Sequence, residues 1–189
     1  MHSTDIAHEA EQVRQLARDF EKLRAQVRDL TWQPGADALT QISPLLLQAQ
    51  NLTAQALARL DALDSSPYTA VPGSRFRLET IAGAVASAAF AASGLATALL
   101  CNPYEGADYP GPPVDERTVR AVRHAQAIPI MTKHLTAAAH QLDTAATCCH
   151  YVATSITEDH AYAATTAPAA TPTPAPAPSV SVIPGELRR

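Results

Sequence analysis

The chain has 189 residues and a formal net charge of −4 at pH 7. It is long enough for one domain with a real core, and it lacks the basic excess that usually marks nucleic-acid binding. Aromatic residues make up only 5% of it and alanine is abundant, which favours closely packed helices over strands.

No run of alternating β-branched residues is long enough to propose a sheet. The three cysteines, Cys101, Cys148 and Cys149, are odd in number and two are adjacent, so no disulfide framework is implied. Adjacent helical residues point about 100° apart, which places Cys148 and Cys149 poorly for bridging each other. Reduced thiols in a cytoplasmic protein are expected. The stretch from Met1 to Glu11 is polar and acidic, without the basic start and apolar centre of a secretory signal.

The first predicted helix runs from about Asp5 to Leu30, with Thr4 or Asp5 as cap. Its stripe is Ile6, Val13, Leu16, Phe20, Leu23, Val27 and Leu30. Pro34-Gly35 is a strong stop. The second helix, about Ala36 to Leu63, carries Leu39, Ile42, Leu46, Ala49, Thr53, Ala56, Leu60 and Leu63. Pro44 lies inside it, and the pair Ser43-Pro44 favours a fresh helix start there. After a loop over 64–74 the third helix, about Arg75 to Leu100, carries Leu78, Ile81, Val85, Ala88, Ala92, Leu95 and Leu99. Its many alanines, glycines and serines predict a slim helix at the centre of the structure, with the first two helices outside it.

A Pro/Gly-rich loop over 101–113 leads to the fourth helix, which starts near Val114 and meets a predicted kink or break at Pro129. Its stripe is Leu135, Ala138, Leu142, Ala145, Cys149, Val152 and Ile156. Each stripe recurs at steps of three and four, one face of an α-helix. The reading is all-α: an up-down-up-down four-helix bundle over residues 1–164, with coiled-coil-like seams. Residues 165–189 read as a disordered Ala/Pro-rich tail.

The functional reading rests mainly on what the chain lacks. There is no G-x-x-x-x-G-K or G-x-G-x-x-G loop, no nucleophile elbow and no Glu-x-x-His pair. His134, His140, Cys148, Cys149, His150 and His160 fall in the fourth helix. Only His140 with Asp143 approaches metal-ligand spacing, and no native metal or other cofactor is expected. Arg14, Arg18 and Lys22 form a row with Arg24 and Arg28 beside it, but interleaved acids make it a solvated face of local charge pairs. The expectation is a non-enzymatic interaction or assembly module, cytoplasmic, with a protein partner or self-association and no nucleic acid. Val180, Val182 and Ile183 are candidate partner contacts, because their alternation suits a strand added to a sheet.

Two other readings stand beside it. The stretch 81–101 is uncharged and about as long as a bilayer span, with Arg75 and Arg77 before it and Glu105 and Asp108 after it. A small membrane-associated protein anchored there is the second reading, ranked below a soluble bundle. The third reading is a ligand- or metal-binding bundle that uses the His and Cys residues of helix four and Thr53 in the core.

Overall fold

The computed structural model describes residues 3–106 and 115–166, with side chains at 7–106 and 115–159. The proposed tail from residue 167 onward, with Val180, Val182 and Ile183, lies outside the described residues, as do most of the second Pro/Gly loop and the side chains of Ile6 and His160; Thr165 and Thr166, expected in the tail, end the fourth helix instead.

Four helices form in chain order: α1 (Ser3–Arg28), α2 (Ala36–Asp64), α3 (Ser74–Leu100) and α4 (Glu116–Thr166), with a short 3-10 turn at Pro67–Ala70. Among the described residues there is no strand. Contacts join α1 to α2, α2 to α3, α3 to α4 and α4 back to α1. Side-chain pairs fix the directions. Arg59 meets Glu9, Arg24 meets Asp143 and Arg77 meets Asp159. Neighbouring helices therefore run antiparallel, in up-down-up-down order.

The core is built from the expected stripes with two rotations. On α1, Val13, Phe20 and Leu23 are fully buried, and on α4 every residue of the stripe from Leu135 to Ile156 is buried. On α2 the buried positions are Leu45 and Leu52, not Leu46 and Thr53. The Thr53 hydroxyl turns back to donate to the Ala49 carbonyl at 2.8 Å. On α3 the inward line is Ile81, Ala84, Ala88, Ala91, Leu95 and Ala98. That helix is not central. It packs on α2 and α4 like the other corners of the bundle and leaves its far side open.

The α3–α4 approach is close because both helices are slim there. A Cβ added at Gly94 would lie 3.2 Å from the Ala138 Cβ and 3.2 Å from the His134 carbonyl oxygen.

Neither helix proline interrupts its helix. Pro44 lies inside α2 and Pro129 inside α4. Proline removes one backbone hydrogen bond and crowds the carbonyl four residues back. Both prolines are exposed, and so are Thr40 and Ala125, whose carbonyls are affected; water can serve the freed groups. Ser43 does not cap a new helix; its hydroxyl donates to the Leu39 carbonyl at 2.7 Å. Because Pro129 is no break, α4 has 51 residues, about 75 Å at 1.5 Å per residue against roughly 40 Å for each of its neighbours. Its first turns overhang the bundle: from Glu116 to Gln126 only Val119 and His124 are even half-buried.

Two side-chain ties lock the ends of the bundle. At one end, buried Asn102 holds Gly35 by both backbone groups. The Gly35 N–H donates to Asn102 Oδ1 at 2.7 Å, and Asn102 Nδ2 donates to the Gly35 carbonyl at 2.9 Å. Gly35 has φ of +100° and ψ of −142°, a region open essentially only to glycine. At the other end, Arg77 donates to both carboxylate oxygens of Asp159, one contact at 2.9 Å, and to the hydroxyl of buried Tyr68 at 3.3 Å. This joins the 3-10 turn, the start of α3 and the end of α4.

Candidate functional site

The largest feature that the bundle leaves unused is the outer side of α3. Its sequence has no charged residue between Glu79 and Glu105. Over Ser74–Leu100 its best 18-residue window has a mean hydropathy of 1.6, yet only 33% of that window is buried. Ala82, Ala86, Ala89, Ser93 and Ala96 lie on the exposed line. Phe90 and Leu100 stand out from it, 66% and 80% exposed. At the start of the helix Phe76 meets Tyr151 of α4 edge to face, with ring centroids 6.1 Å apart. Apolar groups facing water forgo about 25 cal/mol per Å², so this face leaves burial energy unused within the chain.

The sequence-derived metal pair is brought to one place. His140 and Asp143 both line a groove of about 520 Å³ between α1 and α4, with Arg24, Arg28, Leu30 and Trp32 opposite them. Asp143 accepts from Arg24 Nε at 3.2 Å. Among the described residues no group of three His, Cys, Asp or Glu side chains is placed to hold a metal ion. His150 does not join His140; its Nε2 lies 3.0 Å from Glu21 Oε1.

The basic row on α1 is matched by carboxylates. Glu11 accepts from both Arg14 and Arg18, and these hydrogen bonds, Arg18's first, hold its carboxyl below the usual range. Arg28 pairs with Asp29 at 2.9 Å, and the same hydrogen bond lowers the Asp29 carboxyl.

Cys148 is half-buried and Cys149 fully buried. Burial, with a smaller contribution from Cys148, pushes the Cys149 thiol up from its ordinary value near 9 to about 12. The folded chain therefore keeps this proton where the unfolded chain releases it. The stability it contributes is intact below pH 9 and is lost as pH rises through about 12, at up to about 1.4 kcal/mol per pH unit. Melting temperatures measured from pH 8 to pH 11 should fall, and Cys149→Ala should flatten that fall. An unchanged slope in the variant would mean that the thiol is not held in the core. Tyr68, whose phenol burial also raises, adds to the loss at the alkaline end in both proteins.

Sequence reasoning missed the exposed face of α3 and the α1–α4 groove. The face carries a signal, its lack of charge, but that signal equally suits a buried helix. The groove depends on which short side chains of α4 face the end of α1, and no local pattern encodes that. No family model matches the chain, and neither the curated proteins nor the solved structures include a match to it.

Proposed function

We propose that this protein is a non-enzymatic helical assembly module that self-associates through the outer face of α3. The observation that carries this reading is the contrast within one helix: mean hydropathy of 1.6 with only a third of that window covered. A second copy suits the face on three counts. From Ala82 to Leu100 the face has no charge, so two identical surfaces meet there without like-charge repulsion, as a two-fold contact requires. Its line of alanines and Ser93 lets two backbones approach closely. Phe90 and Leu100 supply large apolar groups to bury, and aromatic anchors dominate such contacts.

The second reading is a membrane-associated protein held by the same helix, whose 27 residues are long enough to span a bilayer. The two readings separate on one variant and on the recovery of the wild-type protein. Phe90→Glu places a charge in the middle of the face without touching the core. Under self-association it yields a folded chain of lower assembly mass. Under membrane anchoring, wild-type protein is recovered only with detergent.

A further inference from the structure

The α1–α4 groove has features that the assembly reading leaves unused. It runs from the ion pair of Arg24 and Asp143 to the place where α1 ends at Arg28 and the following loop brings Leu30 and Trp32 alongside α4. The facing wall is made of short side chains, Thr132, Thr136 and Ala139, with Leu135 between them. Short residues opposite a bulky indole leave an open space of about 520 Å³, within the range that small-molecule sites occupy. Between Thr132 and Asp143 the groove follows α4 for about 17 Å at 1.5 Å per residue.

Polarity changes along that length. One end holds the large apolar groups Leu30, Trp32 and Leu135, beside the methyl-bearing side chains of Thr132 and Thr136. The other holds Arg24, Arg28, His140 and Asp143. Asp143 takes the Nε of Arg24 at 3.2 Å, and a guanidinium has further N–H donors on its two Nη groups. Arg28 is held by Asp29 in an exposed pair, with 61% and 63% of the side chains accessible; such pairs contribute little and exchange readily. Two guanidinium groups at the mouth of an apolar trough match an anionic head on an apolar tail, and guanidinium binds a carboxylate with two parallel hydrogen bonds.

We propose that the groove between α1 and α4 binds a single-chain carboxylate, its head on Arg24 and Arg28 and its alkyl tail against Leu30, Trp32 and Leu135. About ten carbons would fill a trough of ~17 Å once the head group is seated. The site is independent of the outer face of α3, because that helix does not line it.

The protein supplies its own probe, because Trp32 is the single tryptophan of the chain. The experiment titrates the full chain with decanoate below its micellar concentration and follows Trp32 emission. Nonyltrimethylammonium, with the same nine-carbon tail and the opposite charge, and acetate, with the head alone, are run in parallel. The expected result is a saturable one-to-one blue shift with decanoate, at least about tenfold weaker with the cation and absent with acetate, because the head must pair with guanidinium. The double variant Arg24→Gln, Arg28→Gln should weaken decanoate binding by about tenfold or more, each lost charge-assisted contact counting toward that factor.

Thr136→Leu and, separately, Ala139→Leu fill the trough and should abolish the shift while helical circular dichroism is unchanged. Thr136 is exposed, so its variant keeps the test valid if Ala139→Leu fails to fold. Equal response to decanoate and the cation, no saturable shift, or a shift that survives in folded Thr136→Leu would each overturn the proposal.

Discussion

Asn102→Ala should lower the stability of the bundle by about 1–3 kcal/mol, the cost of leaving the buried Gly35 N–H without a partner; the Gly35 carbonyl loses its shorter bond but still accepts from the Leu39 N–H at 3.3 Å. For a domain of this size that is a fall of several degrees in melting temperature. The position of Gly35 sets this cost. It is buried, its φ is +100°, and its two backbone groups face Asn102 at 2.7 and 2.9 Å. The tie crosses 67 residues of sequence, so it holds the α1–α2 loop to the end of α3. Asn102→Asp is the sharper control. Its carboxylate still accepts from the Gly35 N–H but meets the Gly35 carbonyl with charge, so the variant should be unstable at neutral pH and partly recover in acid. A melting temperature within a degree or two of wild type for Asn102→Ala would show that the loop finds other partners.

Ala88→Leu should destabilise by about 1–3 kcal/mol through overpacking, and the exposed neighbours Ala86 and Ala89 provide the comparison. Ala88 has no accessible surface, and nearby Gly94 already lies against the α4 backbone. Three added carbons have nowhere to go unless the helices part. Ala86→Leu and Ala89→Leu project from the open side and should leave the isolated fold's melt nearly unchanged. Thermal melts of the three variants at low concentration decide the register of α3. Equal losses at all three positions would mean that the outer face is buried within the chain, and no loss at Ala88 would mean that the helix is rotated.

The sequence signal was strongest where large residues stand against polar ones. On α4 Leu135, Leu142 and Ile156 each stand between polar neighbours, His134 and Thr136, Gln141 and Asp143, Ser155 and Thr157, and all three are buried. On α2 three leucines in a row, Leu45, Leu46 and Leu47, allow two seams of equal spacing; packing selects Leu45 and Leu52 and leaves Leu47 66% exposed. On α3 nearly every position is small or apolar, so periodicity has no contrast from which to assign an inward face.

The prolines misled for a different reason. A helix accepts proline where the freed carbonyl faces water, and whether it does so is a property of the packed bundle rather than of the Ser43-Pro44 or Ile128-Pro129 pair. Tyr68 and Asn102, buried at opposite ends, lie in loops where no repeat marks them as core. The candidate site was less legible still. His140 and Asp143 were visible as neighbours one turn apart, but the arginines and the tryptophan that face them come from more than a hundred residues earlier.

The claim at the centre of this account is that α3 presents its uncovered face to a second copy of the chain. Sedimentation equilibrium of the intact protein, without detergent and over a wide concentration range, tests it most directly. The account predicts a mass that rises toward two chains with concentration for wild type and stays at one chain for Phe90→Glu, with the same helical circular dichroism. A mass of one chain at every concentration for wild type, or self-association undiminished in Phe90→Glu, would contradict it.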